Sequence, residues 1–479
     1  MGDDSHELHI AMFPWLAFGH MIPYLELAKL IAQKGHKITF ISTPRNIDRL
    51  PKIPPHLATL INFVKLPLPR EAHLLEGDEA TADVPYNKVQ YLKVAFDGLK
   101  DPMTKFLATS DHDIDYLLYD FAPYWLPDIA TSLGIPNAFF SIFLGSAVCF
   151  LKPQSLIEDR TEPEHFTVTP KSIPFPTTVR FKLFEILRIF ESVTGDASDV
   201  SDGYRLQEVL RCCQTVAIRS CMEFEPEWLH LFQELLGKPV IPVGLLAPAE
   251  HDGAGPDESG GVWKSMKDWL DKQEKGSVVY VAFGSEAKPS QVELTELALG
   301  LELSGLPFFW VLRTRRGSTD DEVTKLPEVF EDRTNGRGLV LTSWVPQLKI
   351  LAHDSVGGFL THSGLSSVVE ALQHGRALIL LSFLAEQGLN SRVFEEKKIG
   401  YPIPRDEFDG SFTRDSVAES LRLVMVKDEG EIYREKAKEM KGLFGNKDLQ
   451  DQYVVNFLRY IRSHRRFLGR KIENSGVIK

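Results

Sequence analysis

Two histidines stand where a chain can do chemistry. His20 closes the turn in "PWLAFGHMIPYLELA", after a glycine and just ahead of a helical pattern. His362 opens the second site in "THSGLSSVVEALQHG", Thr361 to Gly375, where small residues precede an amphipathic helix. A histidine moves protons near neutral pH best with a carboxylate behind it, which fixes its tautomer and stabilises the imidazolium. Asp120, at the end of the apolar run "YLLYD", is the candidate partner of His20. The second stretch suits an anion. Val368, Val369 and Leu372 recur at helical spacing, Glu370 and Gln373 face another way, and Gly375 marks a stop. A helix start offers unpaired N–H groups and the positive end of the dipole, and small residues let a ligand approach them. A plain serine N-cap on a buried helix accounts for the same letters.

A histidine and a carboxylate so distant in sequence can meet if both leave the carboxyl ends of strands in one parallel sheet. The first half has that pattern. Strand "LHIAMF", helix "IPYLELAKLIAQKG" and strand "HKITFIST" make a βαβ unit, with Leu27, Leu30 and Ile31 on the apolar face and Gly35 at the helix end. Further strands follow in "INFVKLPLP", "IDYLLYDF", "NAFFSIF" and, on either side of a helix, in "TVAIRSCMEFEPEWLHLFQELLGKPVIPVGLL". Then "APAEHDGAGPDESGG", residues 247–261, is rich in Gly, Pro and acid without any period, and reads as a linker. Alternation restarts with "SVVYVAFGSE", "VELTELALGLELSG", "PFFWVL", "GLVLTSW", "GGFLTH" and "ALILL". The expectation is an α/β fold of two doubly wound, Rossmann-like domains facing a cleft: 1–246, linker 247–261, 262–450, and a final helical stretch 451–479. On that last helix Tyr453, Val454, Phe457 and Ile461 share one side, and Arg462, Arg465 and Arg466 are expected on a solvated face.

Bulk properties narrow the function. A chain of 479 residues exceeds what one core usually supports, and 43% hydrophobic with 25% charged residues is an ordinary globular composition. A net charge of -12 argues against a nucleic-acid or anionic-membrane surface. Cys149, Cys212, Cys213 and Cys221 have no metal-site or C-x-x-C spacing and read as small buried hydrophobes. The start "MGDDSHELHIAMF" is no signal peptide, and His6 breaks a myristoylation pattern. No stretch is long and apolar enough to span a membrane, so a cytoplasmic location is expected. Dinucleotide, P-loop, nucleophile-elbow and zincin motifs are missing. "SDHDID", Ser110 to Asp115, has D-x-D spacings but reads as a polar lead-in to a strand; no metal is expected.

The second half offers recognition groups. Ser285 follows the strand "VVYVAFG"; Trp344 and Gln347 in "SWVPQLKIL" present a stacking face and an amide edge; Glu370 can accept hydrogen bonds from a diol; Glu386 and Gln387 suit sugar hydroxyls. Taken in order, "WVPQ", "HSGLSSVVE" and "EQ" resemble the donor-binding signature of the plant family-1 UDP-sugar-dependent glycosyltransferases. The likeness extends over essentially the whole chain, including "FGH", "YDF", "FGSE" and the C-terminal helix, which in the family returns to the N-terminal domain.

The resemblance implies a GT-B fold, an N-terminal acceptor-binding domain and a C-terminal UDP-sugar-binding domain, with no cofactor, no metal and a monomeric state. It implies that Trp344, with Val345 beside it, stacks on uracil, that Gln347 holds the nucleoside and that Glu370 takes the ribose hydroxyls. His362, Ser367 and Ser285 meet the diphosphate, Gly364, Leu365 and Ser366 are among the donor-binding residues, and Glu386 and Gln387 bind the transferred sugar. His20 is the base and Asp120 stands behind it. The chemistry implied is a single displacement with inversion at the anomeric carbon. The opening segment looks most like the subgroup that adds a sugar to the sugar of flavonoid, terpenoid or saponin glycosides.

Ser363, Leu365 and Ser366 stand where the family pattern has Cys, Trp and Asn. Arg376, Ala377 and Ser382 also depart from it. Gln387 favours UDP-glucose; Leu365 is compatible with the deoxysugar of UDP-rhamnose. Phe121, Tyr124, Trp125, Phe143 and Phe150 can form an apolar wall for a flat aglycone. A sugar-nucleotide epimerase leaves the His20–Asp120 pair without a task. A non-catalytic UDP-sugar-binding protein has no need of a base.

Overall fold

In the computed structural model, the described residues are 7–109, 114–151, 160–196, 198–249, 261–317 and 320–464. The linker from residue 250 to 260, the first residues of the D-x-D stretch, and Arg465 and Arg466 lie outside them.

Among the described residues, thirteen strands form two parallel sheets. The first contains β1 (His9–Phe13), β2 (Lys37–Ser42), β3 (Ile61–Lys65), β4 (Tyr116–Tyr119), β5 (Asn137–Ser141), β6 (Thr215–Ile218) and β7 (Val240–Pro242). Their order is β3-β2-β1-β4-β5-β6-β7. The second contains β8 (Val278–Ala282), β9 (Phe308–Val311), β10 (Gly338–Leu341), β11 (Val356–Thr361), β12 (Ala377–Leu380) and β13 (Gly400–Pro402). Their order is β10-β9-β8-β11-β12-β13. Strands such as β4, "YLLY", and β8, "VVYVA", are apolar throughout because helices cover both faces of a parallel sheet.

Each order reverses once, and at that point the flanking connections run to opposite faces and leave a crevice beyond the carboxyl ends. The reversal in the first sheet lies between β1 and β4, where Phe13 pairs with Tyr119. In the second it lies between β8 and β11, where Ala282 pairs with Thr361. His20 follows β1 and Asp120 follows β4; Ser285 follows β8 and His362 follows β11.

The helix after β1 spans Phe18–Ala32, starting one turn earlier than its apolar periodicity suggests, so His20 sits inside its first turn. The C-terminal helix, Lys447–His464, packs Val454, Phe457, Leu458 and Ile461 into the same core as Met12, Leu27 and Ile31. Gln450 secures it, accepting from the Leu246 N–H at 2.8 Å and donating to the Val243 carbonyl at 2.8 Å. Arg462 differs from the expected solvated face. It is half-buried and its Nη2 lies 3.3 Å from His36 Nε2. Asp115 accepts the His9 N–H at 2.9 Å, a structural role for the end of the D-x-D stretch. Among the described residues the four cysteines are free, and no helix is long and apolar enough to cross a membrane.

Candidate active site

The first sheet brings His20 and Asp120 together. Nδ1 of His20 lies 2.7 Å from Oδ2 of Asp120, whose side chain is fully buried. That carboxylate is held on both oxygens: Oδ2 also accepts the Trp15 N–H at 3.1 Å, and Oδ1 accepts the Phe121 N–H at 2.7 Å. With Nδ1 engaged, Nε2 is the nitrogen left to take a proton. Burial lowers the imidazole pKa, but the Asp120 charge and hydrogen bond, with Glu286 and Glu386 nearby, raise it above the ordinary 6.5.

Phe121 and Phe143 flank the ring at 5.8 and 5.5 Å between centroids, and pack on each other at 6.1 Å. The rest of the expected apolar wall is elsewhere. Trp125 is 6% exposed, packs on Phe13 and Phe96, and donates Nε1–H to Asp97. Phe150 is fully buried against Phe181, beneath Arg160. Both rings belong to the buried core rather than to the surroundings of His20. Tyr124 packs on Tyr204 and on the Arg205 guanidinium.

Across the cleft, the helix Leu365–Leu372 begins at Gly364, and no side chain caps it. A serine cap is therefore not what the small residues serve. Gly364 and Gly284 press on His362 instead: a methyl on Gly364 would lie 2.4 Å from Nε2, and one on Gly284 3.0 Å from Cε1. Burial drops the His362 pKa to about 4, so the ring is neutral at neutral pH and can gain charge beside an anion. Ser363 holds a left-handed φ of 69°, and its buried hydroxyl has no hydrogen-bond partner among the described residues. Ser285 is exposed at the rim, and Ser367 is buried in the helix.

Glu370 faces the same crevice. Its Oε2 accepts from Gln347 Nε2 at 2.7 Å, and Gln347 Oε1 accepts from Tyr280 Oη at 3.1 Å. Burial raises the Glu370 pKa to about 7 against the opposing effects of Gln347 and Arg219. Trp344, in the loop that follows β10, is 48% exposed, while its neighbour Val345 is buried. Leu365 is buried at the helix start. Gln387 spends its amide oxygen on its own loop, accepting the Phe383 and Leu384 N–H groups at 2.9 and 3.0 Å, and Glu386 accepts from Asn390 at 3.4 Å. Glu386 is pushed up in pKa by burial.

Two residues escaped the sequence reading. Arg219, just after β6, donates Nη1–H to Ser366 Oγ at 2.7 Å and Nε–H to the Leu245 carbonyl at 2.9 Å. It is 2% exposed, and burial lowers its pKa to about 10, leaving it cationic. Glu286 accepts a 2.5 Å hydrogen bond from Thr81 Oγ1 of the first half. An arginine at the end of a strand was the available signal for the first; "FGSE" contained the second without distinguishing it.

Two doubly wound halves meeting at their switch points are the GT-B architecture. The structure superposes on that of UGT73P12 from Glycyrrhiza uralensis with a TM-score of 0.76 at 23% identity, covering 96% of each chain. The family model for UDP-glucoronosyl and UDP-glucosyl transferase matches residues 257–452. The sequence is 55% identical to UDP-glycosyltransferase 91A1 of Arabidopsis thaliana, over 96% of this chain and 98% of that one. It is 44% identical to soyasaponin III rhamnosyltransferase of Glycine max, over 96% of each. The chain belongs to the plant family-1 UDP-sugar-dependent glycosyltransferases, and it is an enzyme that uses a UDP-sugar donor.

Proposed function

We propose that the enzyme moves a sugar, glucose by preference, from its UDP-sugar to a hydroxyl of a plant specialised-metabolite glycoside. The product is a longer or branched sugar chain. The observation that carries this reading is the 2.7 Å His20–Asp120 pair among carboxylates rather than in a wholly apolar pocket. Glu286 and Glu386 lie near enough to act on the His20 charge, and such groups suit a polyhydroxylated acceptor better than a bare ring system.

In this reading residues 1–246 hold the acceptor, 262–450 hold the donor, and the helix from 451 onward returns to the first domain. Trp344 stacks on uracil beside Val345, Gln347 orients Glu370, and Glu370 accepts from the ribose hydroxyls. His362, Gly364, Ser285, Ser367 and the uncapped N–H groups at Leu365 and Ser366 surround the diphosphate. Glu386 takes sugar hydroxyls, with the Gln387 amide N–H beside it. His20 Nε2 removes the acceptor proton as the oxygen attacks the anomeric carbon, and the bond to UDP breaks on the opposite face. Configuration inverts, and the charge gained by the diphosphate meets His362 and the helix start. No metal or other cofactor is needed for this displacement, and the enzyme acts as a cytosolic monomer.

Rhamnose transfer is the second reading. It is supported by the apolar Leu365 at the donor helix and by the rhamnosyltransferase among the relatives. Purified protein given UDP-glucose, UDP-rhamnose, UDP-xylose and UDP-galactose with monoglycosides and their aglycones decides both points by mass spectrometry. A hexose added only to glycosides supports the first reading, with single-donor runs separating glucose from galactose. A deoxyhexose supports the second, and transfer to bare aglycones alone overturns glycoside extension.

A further inference from the structure

The loop from Ser382 to Gly388, which carries Glu386 and Gln387 after β12, is held at both ends by arginines. Arg405 Nη1 donates to the Ser382 carbonyl at 2.6 Å, and Arg392 Nη1 donates to the Gly388 carbonyl at 3.2 Å. Both side chains are largely buried. Each arginine is also tied to the first half, through the short helix Leu183–Leu187 that lies between β5 and β6 in the chain. Arg392 Nη2 donates to both carboxylate oxygens of Glu185 at 3.0 Å. The Arg405 guanidinium lies 4.7 Å from the centroid of the Phe184 ring. Glu293 of the second half adds a further tie, accepting from Arg405 at 3.0 Å and from Arg188, at the end of the same helix, at 3.1 Å.

Gly388 shows how close this contact is. It is the second residue of the helix Gln387–Glu396, and its φ is not left-handed, so the backbone has no need of glycine there. A methyl on it would lie 2.4 Å from Oε2 of Glu185, so the glycine makes room for the carboxylate. Glu185 is fixed from its own side as well, since Oε2 accepts the Lys182 N–H at 2.9 Å. An apolar contact of the same size would hold the halves together as well as a buried ion pair does. What the pair adds is direction: the guanidinium that meets Glu185 with one nitrogen fixes the Gly388 carbonyl with another.

We propose that Glu185 and Arg392 are positioning residues for the donor sugar: their pairing between the halves sets the 382–388 loop and so holds Glu386 and Gln387 where the sugar hydroxyls arrive. The proposal rests on the reading that this loop binds the transferred sugar. Gln387 Oε1 accepts the Phe383 and Leu384 N–H groups, so a displacement at Gly388 passes through Gln387 to the loop as a whole. In that reading the nucleoside and diphosphate meet other residues, so the sugar's share of donor affinity can be measured apart from theirs.

The readout is the ratio of the dissociation constants of UDP and UDP-glucose, from titration calorimetry without acceptor, with UDP-rhamnose replacing UDP-glucose in a second series. Glu185→Gln, Gly388→Ala and Arg392→Lys are compared with wild type, and melting temperature reports the fold of each. In at least one series Glu185→Gln should weaken the UDP-sugar about fivefold or more and leave UDP binding unchanged. Gly388→Ala, which wedges the pair apart, should do the same, and Arg392→Lys should lose less because it keeps the charge. Adding Arg392→Lys to Glu185→Gln should cost nothing further, since the link is already broken. Equal weakening of UDP and UDP-sugar in the folded variants marks a merely structural contact and overturns the proposal. A wild-type ratio in folded Glu185→Gln in both series overturns it too. Gln387→Ala then shows how much has failed. A changed ratio there keeps the loop as the sugar site and refutes the pair's role alone; a wild-type ratio refutes the reading of the loop as well.

Discussion

Arg219 Nη1 and Ser366 Oγ are 2.7 Å apart, joining the end of a strand in one half to the first turn of the donor-side helix in the other. The family pattern has Asn at 366, and the shorter serine hydroxyl is taken here by a cation from across the cleft. That cation also lies close enough to favour the ionised form of Glu370. Replacing it touches both halves of the cleft at once. Arg219→Met should raise the donor KM by about tenfold, the scale of a hydrogen bond to a charged group. It should also push the Glu370 pKa above about 7. Titration of UDP binding against pH in wild type and variant reads the second effect, and an unchanged pH profile refutes the coupling.

If Glu370 takes the ribose hydroxyls as proposed, donor binding should release protons. Its carboxyl, at about 7 in the free protein, falls when ribose hydroxyls donate to the ionised form. At pH 7 UDP binding should therefore expel a fraction of a proton, and affinity should weaken as pH falls below 7. Calorimetry in buffers of different ionisation enthalpy measures this release. Glu370→Gln should abolish it.

A base at His20 adds a second loss on the acid side, in turnover rather than in donor affinity. In the proposed role His20 must be the neutral ring, and its pKa is raised, so kcat/KM should fall on the acid side with a limb above 6.5. Asp120→Asn removes the largest raising influence and should move that limb to lower pH while reducing the rate. His20→Ala should lower kcat by about 10²–10⁴, with UDP affinity retained. A His20→Ala enzyme with wild-type turnover would assign the base elsewhere.

Trp344 tests the nucleoside end. Its exposed face has room for a base, and stacking of this kind is worth about 1–3 kcal/mol. Trp344→Ala should weaken UDP by the corresponding factor and leave the pH profile of turnover in place. Direct UDP titration separates these outcomes.

Gly364→Ala tests packing at the turn between His362 and its helix. The added methyl would stand 2.4 Å from His362 Nε2, so the ring must leave its place. Donor KM should rise steeply while the melting temperature changes little, since the surrounding strands are untouched. A fully active variant would show that His362 need not hold its present position.

Much was legible in the sequence because it depends on near neighbours. Apolar runs spelled the parallel strands, the 3.6-residue repeat spelled the helix after His362, and the alternation of the two put His20, Asp120, Ser285 and His362 beyond strand ends. A strand-end position needs only local pattern and the rule that crevices open where strand order reverses. What stayed hidden depends on approach between segments far apart in the chain. Trp125 and Phe150 are aromatic like Phe121 and Phe143, yet only the latter pair reaches His20, because the chain leaves the strand ends so that the other two rings pack into the core. The Arg219–Ser366 link, the Thr81 bridge to Glu286, and the raised Glu370 follow from the two halves facing each other. Desolvation and charge proximity sum over every neighbour in space, and such sums exist only once the chain has closed on itself.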